Sequence, residues 1–399
     1  MNIAVVNWRD PWHPAAGGAE TYAWELARRF RRAGHQVGFI TARAPGQARS
    51  VEIEGVRLAR MGGVLTVYPL VLLWLLLRRG RFDVVLDCQN GIPFFTPLVL
   101  RRRTRIFFVV HHVHDRQFGV HLSWWMAAVG RFLEGPVSRW VYRGRDGVAV
   151  SPSTVLAMRE RLRWKGRMHI VPNGVDTATT VHIEKSRDVK LVYVGRLVAH
   201  KRVELLLDAV DELRGRWPEL TVDIVGRGPE EAKLRARLPE GVTLHGYLSE
   251  ADKERMIARA WLQVNPSQGE GWGICVLEAA ALGVPTVAYD VDGLRDAIRP
   301  GETGWLLAER LDLAKGIAMA LEELELEERV LKERALKERV LKERPLDERP
   351  LDESADLPAA DLHSVKCREW AGRFSWDRSA ERFEALAQGR SVDPDWAGR

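Results

Sequence analysis

Two acidic residues, Glu270 and Glu278, are separated by seven residues in the stretch Asn265–Val287. The apolar run before this stretch predicts a buried strand, and the run after Glu270 predicts a helix that a glycine and a proline end. Open α/β sheets bind ligands at such strand-to-helix loops, where the helix dipole favours anions. The two carboxylates are therefore candidates for a binding or catalytic site. The alternative is a solvent-facing loop glutamate and a helix glutamate without a chemical role.

The backbone between these carboxylates is also unusual. Gly271 and Gly273 stand on either side of Trp272, so the chain there can turn tightly or approach a ligand closely. Ile274 then begins the predicted helix. These four residues are candidate ligand contacts.

A second group carries positive charge. The apolar run 190–194 predicts a strand, and Gly195, Arg196 and Lys201 follow it before the next predicted helix. Arginine offers paired donors and lysine a point charge, a combination that suits a diphosphate. Solvated surface charge is the alternative interpretation.

Histidines and glycines follow two strands predicted earlier in the chain. His111, His112 and His114 come directly after the apolar run 105–110. Imidazole is a common metal ligand, but no cysteine lies near them in sequence, so we expect no metal there. Gly17 and Gly18 precede the first predicted helix, where backbone N–H groups could meet a phosphate.

These segments, taken in order, resemble the retaining family 4 glycosyltransferases, which have the GT-B fold. The matching segments are GG-x-E at residues 17–20, the histidine after a strand at 111, V-P-N-G-V-D at 171–176, G-R-x4-K at 195–201 and E-x7-E at 270–278. The resemblance covers nearly the whole chain apart from about 325–362.

The resemblance implies a role for each candidate residue. Arg196 and Lys201 would contact the phosphates of a nucleotide-diphosphate sugar, and Glu270 the hydroxyls of its sugar. Glu278 would accept from the ribose hydroxyls, and His111 would line the sugar site. The remaining expected donor contacts are Gly17, Gly18, Gly195, Gly271, Trp272, Gly273 and Ile274, with Tyr247 and Leu248 near the base.

The implied fold is α/β: two Rossmann-like domains that face a cleft. We expect an acceptor-side domain over residues 1–182 and a donor-binding domain over 183–370, with residues 371–399 forming a C-terminal helix and tail that cross back. Retaining glycosyl transfer to an acceptor hydroxyl is the implied reaction. A sugar-nucleotide epimerase and a non-catalytic binding protein of the same fold are the alternatives.

No cofactor or metal is expected. The fixed cations could neutralise the diphosphate by themselves. The D-x-D at 290–292 looks like the metal-binding D-x-D of the other glycosyltransferase fold, but it follows a predicted strand of the second domain, so we interpret the match as a coincidence. The glycines at 226 and 228 lack the third glycine of a dinucleotide fingerprint, which argues against a nicotinamide cofactor.

Charge is distributed unevenly. Residues 1–180 hold 26 Lys and Arg against 12 Asp and Glu, although the whole chain carries only +6. An apolar run at 64–77 ends in arginines, and residues 120–145 are rich in Trp and Arg. Both stretches fit either core helices or a peripheral contact with an anionic membrane. The acceptor is correspondingly lipid-linked or a soluble sugar, and the expected location is the cytoplasm or the inner face of the plasma membrane. No nucleic-acid-binding motif occurs.

A five-residue repeat occupies residues 330–354. Its leucines advance by about 140° on a helix, so they form no apolar stripe. We expect a solvated, partly disordered insertion without a catalytic role, ended as a helix by its prolines.

Overall fold

The computed structural model describes residues 1–115, 118, 123–176, 183–342 and 362–392 of the 399-residue chain, with the backbone alone over 334–342. The chain divides into two compact units. The first unit combines Met1–Asp176 with Phe374–Arg399, and the second is Thr177–Arg373. The first unit thus ends at residue 176 rather than 182, and the chain rejoins it at residue 374 rather than 371. Both units are Rossmann-like α/β domains, as the sequence predicted.

The first unit contains an eight-stranded sheet in the order β3-β4-β2-β1-β5-β6-β7-β8. Its pairs are parallel except β3 with β4. Strands at the centre are almost continuous apolar runs because helices cover both faces of such a sheet. The strands are β1 (Asn2–Val6), β2 (Gln36–Thr41), β3 (Ser50–Ile53), β4 (Val56–Arg60), β5 (Val84–Gln89), β6 (Arg105–Val110), β7 (Asp146–Ala149) and β8 (Met168–Ile170).

The helices of the first unit include one from the C-terminal end of the chain. They are α1 (Gly18–Arg32), α2 (Val67–Leu76), α3 (Trp124–Phe132), α4 (Ser138–Val141), α5 (Pro152–Glu160) and α13 (Trp376–Ala387), with a 3-10 turn at Thr96–Leu98. The ring of Phe383 in α13 lies 5.9 Å from that of Phe30 in α1 and 5.1 Å from that of Phe107 in β6. The C-terminal helix therefore packs on the first unit, as predicted.

The second unit contains a six-stranded parallel sheet in the order β11-β10-β9-β12-β13-β14. Its strands are β9 (Lys190–Val194), β10 (Thr221–Val225), β11 (Val242–Gly246), β12 (Leu262–Asn265), β13 (Thr286–Tyr289) and β14 (Gly304–Leu307). Its helices are α6 (Val203–Arg214), α7 (Glu231–Arg235), α8 (Glu250–Ala258), α9 (Ile274–Ala281), α10 (Leu294–Ala297), α11 (Leu313–Lys342) and α12 (Leu362–Ala371), with a 3-10 turn at Ala199–Lys201.

Helix α2 is half-buried. Val67, Val71 and Leu75 on one face are fully buried, whereas Leu73 and Leu77 lie on the exposed side. The helix spans only ten residues. Among the residues that the structure describes, no helix is both long and apolar enough to cross a membrane.

The tryptophans of the 120–145 region point outward. Trp124 and Trp125 at the start of α3 are 82% and 56% exposed, and Trp140 in α4 is 70% exposed. For these three side chains the interpretation as a tryptophan-rich core is therefore wrong. Residues 119–122 of the same stretch lie outside the described residues.

Helix α11 enters the charged repeat. It continues to Lys342, so the first part of the 330–354 repeat, before its prolines, is helical. Glu327 of this helix accepts hydrogen bonds from the backbone N–H groups of Leu362 and His363, at 2.6 and 3.3 Å, and its other oxygen lies 2.7 Å from His363 Nδ1. These bonds fix the start of α12 against α11. Residues 343–361, which hold the prolines of the repeat, lie outside the described residues.

Candidate functional site

The carboxyl ends of β9 and β12 bring the cationic motif and the first carboxylate together. Lys201 Nζ pairs with Glu270 Oε1, and Ser267 Oγ donates to the same oxygen at 2.9 Å. Both side chains of the ion pair are largely buried. Burial opposes ionisation of Glu270, but Lys201, Ser267 and His200 outweigh it and lower the pKa of this carboxyl. Glu270 is therefore a fixed carboxylate.

Arg202 connects the loop after β9 to the loop after β12. Its Nε donates to Pro266 O at 2.8 Å and its guanidinium also reaches Ser267 O at 3.2 Å. The same group lies over the Tyr289 ring, 4.6 Å from its centroid. Arg202 holds φ at +50°, a left-handed conformation that is uncommon for a residue with a side chain. Its contacts hold the backbone beside Lys201 in register with Glu270.

Arg196 offers an uncommitted guanidinium. Its side chain is exposed and forms no hydrogen bond or ion pair with any residue that the structure describes. The backbone beneath it is fixed, since Tyr193 Oη donates to Arg196 O at 3.1 Å. A Cβ on Gly226 would collide with Gly195 O, so this glycine lets the loops after β9 and β10 pack closely. The glycine pair at 226 and 228 thus has a packing role.

Glu278 lies on α9 and is tied to the neighbouring helix α8. Its Oε1 accepts from Lys253 Nζ at 3.0 Å, and Lys253 also pairs with Glu250 at 2.7 Å. Burial alone would lower the pKa of Lys253, but Glu278 and Glu250 raise it above the usual lysine range. Glu278 is partly exposed, so it keeps a surface for a polar ligand.

The loop between the carboxylates offers backbone rather than an aromatic surface. The Trp272 side chain is only 1% exposed and belongs to the interior. Gly273 caps α9 with φ of +84°, and Ile274 begins that helix. At Gly293 (φ +80°) a Cβ would meet the backbone of Glu270 and Gly271, so that glycine allows their close approach. Contacts from this loop would therefore come through its N–H groups.

The expected base contacts lie after β11. Tyr247 is 70% exposed. Leu248 is half-buried against a small cluster that includes Val194 and Val225. An exposed ring beside an anchored leucine is an apolar surface on which a planar base could rest.

In the first unit, Gly17 and Gly18 lie at the N-terminus of α1. Gly17 N donates to Glu20 Oε2 at 2.8 Å, and Arg9 Nε lies 3.2 Å from Glu20 Oε1. Glu20 is buried, and its hydrogen bond with Gly17 N holds the glycine turn before α1. Gly18 is exposed and Gly17 partly so.

Polar side chains continue along the carboxyl edge of this sheet. Asn7 follows β1, Asn90 follows β5 and His111 follows β6, and these three strands are neighbours. Asn90 Nδ2 donates to Asn7 Oδ1 at 2.9 Å. This is the edge at which parallel sheets bind ligands.

His111 is buried and neutral. The Tyr22 ring meets its ring edge-on at 5.0 Å, and Thr154 Oγ1 donates to its backbone oxygen at 2.9 Å. Burial, followed by the charges of His112 and His114, lowers the pKa of His111 to about 3. Its Nε2 has no hydrogen-bond partner among the described residues. A buried imidazole nitrogen without a partner is available to a substrate.

The other two histidines lie beside a buried carboxyl. The rings of His112 and His114 lie 3.8 Å apart. The backbone N–H of His114 donates to Glu134 Oε1 at 2.7 Å, and its Nδ1 lies 3.4 Å from the same oxygen. These histidines therefore take part in a local polar network.

The aspartates of the D-x-D sequence face arginine. Arg295 Nε donates to Asp290 Oδ1 at 2.9 Å, and its NH1 group lies 3.8 Å from Asp292 Oδ1. Within the described ranges, no three His, Cys, Asp or Glu side chains are grouped closely enough to hold a metal ion. The partners of these two carboxylates are thus protein cations.

Several residues that support the candidate site were not predicted from the sequence. Arg202, Ser267, Lys253 and Glu134 each bond to a predicted site residue or its loop. Arg202 follows Lys201 directly and Ser267 precedes Glu270 by three residues, so proximity to the motifs was a usable signal. Lys253 and Glu134 lie 25 residues before Glu278 and 20 after His114, and only the fold joins them.

Two family models match adjoining parts of the chain. Residues 16–179 match the model described as Glycosyltransferase Family 4, and residues 176–337 match the model described as Glycosyl transferases group 1. The first match contains the glycine turn and His111. The second contains Arg196, Lys201, Glu270 and Glu278.

Curated relatives align along most of the chain. A glycogen synthase of Mycobacterium tuberculosis is 27% identical over 362 residues, covering 81% of this chain and 86% of the relative. A phosphatidyl-myo-inositol mannosyltransferase of Mycolicibacterium smegmatis is 27% identical over 329 residues, covering 76% and 80%.

Solved structures share the architecture. Sucrose-phosphate synthase from Thermosynechococcus elongatus superposes with a TM-score of 0.74 at 17% identity, covering 98% of both chains. HepE of Anabaena in complex with UDP-glucose gives a TM-score of 0.65 at 15% identity, covering 98% of this chain and 100% of that one. At these identities the likeness concerns the fold.

Proposed function

We propose that this chain, which is a glycosyltransferase of the GT-B fold, is a retaining enzyme that moves a sugar from a nucleotide diphosphate to an acceptor hydroxyl. The observation that carries the proposal is the ion pair between Lys201 and Glu270, two motifs 69 residues apart in sequence. The uncommitted guanidinium of Arg196 lies in the same strand-to-helix loop as Lys201. The match to UDP-glucose-bound HepE supports a nucleotide-sugar donor.

The chemistry proposed for the second unit is stabilisation of the leaving group. When the bond between sugar and phosphate breaks, negative charge grows on the diphosphate. Arg196 supplies paired N–H donors, and Lys201 supplies a charge whose position Glu270 fixes. Fixed cations at the site of developing charge lower the barrier because they need no reorganisation during the reaction.

The remaining donor contacts are part of the same proposal. Glu270 holds sugar hydroxyls through the oxygen that Lys201 leaves available, and Glu278 accepts from the ribose. The N–H groups of Gly271, Gly273 and Ile274 face the phosphates, and Tyr247 with Leu248 supports the base. His111, being neutral, donates or accepts a hydrogen bond at the sugar without adding charge near the cationic anomeric carbon.

A donor panel tests the reaction. Purified protein is incubated with a set of nucleotide sugars, and both donor hydrolysis and transfer to an added acceptor are measured. We expect one donor class to be consumed and the anomeric configuration, read by NMR, to be kept. Inversion would overturn the retaining mechanism, and interconversion of donors without transfer would indicate an epimerase.

Catalysis is proposed to need no metal ion. The cations that face the diphosphate are side chains, and the D-x-D carboxylates pair with Arg295. We expect turnover to be unchanged after chelation. Activity that disappears with chelator and returns with Mg²⁺ or Mn²⁺ would contradict this expectation.

The acceptor is proposed to be lipid-linked, with the first unit resting on an anionic membrane. On α2 the exposed side presents Leu70, Leu73, Leu76 and Leu77. The chain turns after α2 at Gly80, where a Cβ would lie 3.2 Å from the Arg101 guanidinium. The Arg101 guanidinium therefore lies beside the segment that carries the arginines at 78, 79 and 81.

Vesicle sedimentation tests the membrane contact. Each basic side chain near an anionic surface contributes about 1 kcal/mol, and salt screens this attraction. We expect binding that rises with anionic lipid content and falls with salt, and that weakens when Leu73 and Leu77 are changed to Ser. Leu326→Ser, an exposed leucine of the second unit, is the matched control. Absence of binding at low salt would instead favour a soluble acceptor.

A further inference from the structure

An irregular turn places the side chain of Glu134 in the interior of the first unit. Helix α3 ends at Phe132, and Leu133–Val137 forms a π-helical turn before α4. Pro136 lies inside this turn and has no N–H group to continue an α-helical ladder. Such π-turns are frequent at functional positions. Here the turn buries Glu134, whose exposure is 1%.

One oxygen of Glu134 holds two neighbours in place. Its Oε1 accepts from the backbone N–H of His114 at 2.7 Å and from Gln89 Nε2 at 2.8 Å. Gln89 Nε2 also donates to Gly91 O at 3.0 Å. The second oxygen, Oε2, is buried and has no hydrogen-bond partner among the described residues.

The side chains of Thr154, Arg161 and Glu134 each hydrogen-bond the backbone of residues 111–114, after β6. Thr154 Oγ1 donates to His111 O at 2.9 Å, and Arg161 reaches Val113 O at 3.3 Å. Glu134 provides the third contact, at His114 N. This contact is the one of the three that depends on a buried ionisable group.

The surroundings of Glu134 favour its neutral form. Burial raises the pKa of this carboxyl to about 8, although the bonds from His114 and Gln89 oppose the rise. Because Oε1 accepts both hydrogen bonds, the proton belongs on Oε2. The nearby arginines are engaged with Asp115: Arg161 pairs with its carboxylate and Arg131 donates to its backbone oxygen at 3.4 Å. Among the described residues, His114 contacts Glu134, with Nδ1 3.4 Å from Oε1, and the same loop carries His111, His112 and Asp115, the last of which is paired with Arg161.

We propose that Glu134 is a positioning residue: as a neutral carboxylic acid it fixes the backbone of the loop that carries His111. This inference rests on the proposed function only for the role of His111 at the sugar. Loss of the proton leaves a buried charge with which no lysine or arginine of the described residues is paired, and a buried unpaired charge is costly. The backbone of the loop then shifts, and His111 moves away from its position at the carboxyl edge of the sheet.

The test compares Glu134→Gln with Glu134→Ala. Glutamine keeps an accepting oxygen for His114 and Gln89 and cannot ionise, so it imitates the neutral acid. Alanine removes both hydrogen bonds. We expect the Gln variant to keep kcat/KM within about threefold at pH 7, and the Ala variant to lose about tenfold, as one or two lost hydrogen bonds would cost.

The pH profile separates positioning from a merely structural role. In the wild type we expect kcat/KM to fall above about pH 8, approaching tenfold per pH unit. The Gln variant should lack this alkaline decline. An identical decline in wild type and Gln variant would overturn the proposal.

Hydrogen exchange of the 111–115 backbone gives a readout that needs no substrate. After correction for the intrinsic effect of pH, protection of the His114 amide should fall at least tenfold between pH 6.5 and 9 in the wild type and stay constant in the Gln variant. Equal protection in both proteins at both pH values would overturn the proposal. If the donor panel shows no transfer, the proposed function fails, and the exchange result alone then decides the role of Glu134.

Discussion

The carboxyl edge of each sheet is stabilised in a different way. At the second sheet, Glu270 pairs with Lys201, and this cation outweighs the burial of the carboxylate and lowers its pKa. At the first sheet burial dominates: it lowers the pKa of His111 to about 3 and raises that of Glu134 to about 8. A charged edge suits a diphosphate, whereas a neutral edge suits hydroxyl groups and the cationic sugar of a transfer reaction. The difference also makes each edge sensitive to different perturbations.

Removing charge from the second edge should have the largest effect. We expect Arg196→Ala and Lys201→Ala each to lower kcat by about 10²–10³, the usual cost of losing one preorganised contact to a developing anion. Steady-state kinetics at saturating donor measure it. Lys233→Ala, which removes an exposed lysine of α7, is the control. Near-normal turnover in both variants would remove the basis for the phosphate assignment.

Loosening the second edge while Arg196, Lys201 and Glu270 are kept should have a smaller effect. Arg202→Gly keeps the left-handed backbone accessible but removes the bonds to Pro266 and Ser267. We expect kcat/KM to fall roughly 10–50-fold, since misplacing a catalytic group costs rate even when it is present. The melting temperature should change little because glycine relieves the strain at φ +50°. Unchanged kinetics would show that the two loops align without Arg202.

Lowering the pH should destabilise the folded chain through His111, at the carboxyl edge of the first sheet. The pKa of His111 falls from 6.5 to about 3 on folding, so the unfolded chain binds more protons between these values. Stability is therefore complete above about pH 6.5 and is lost as the pH falls toward 3. Replacing His111 by Asn removes this proton uptake. We expect the melting temperature of the variant to drop about 5 °C less than that of the wild type between pH 7 and pH 4. Parallel drops would mean that His111 is not buried as a neutral group.

The smallest effect should come from a region that belongs to neither edge. Deleting residues 330–354, with a short flexible joint, removes the end of α11 but keeps Glu327 and its bonds to α12. Lengthening or shortening a surface connection costs little loop-closure free energy. We expect kcat to be unchanged and the melting temperature to stay within about 3 °C. Glu327→Ala, which removes the contact itself, should lower the melting temperature more than the deletion does.

Local pattern was enough for the motif positions, and the family resemblance of those motifs implied the architecture. Apolar runs with glycine and proline boundaries predicted the strand-loop-helix units around residues 195 and 270. Charge type and spacing indicated which side chains could meet a diphosphate. It was harder to predict which side chains face solvent. Trp124, Trp125 and Trp140 fitted a core helix as well as a surface one, because a run rich in tryptophan and arginine has no single apolar face.

The sequence by itself determined the two α/β units, the order of their motifs and the residue types available for chemistry. Only the tertiary structure decided which of these residues are charged. Glu270 stays ionised because folding brings Lys201 into contact with it across 69 residues. The pKa of Glu134 rises and that of His111 falls because folding removes both side chains from water. Protonation depends on burial and on partners, and both are set by residues that are distant in the chain.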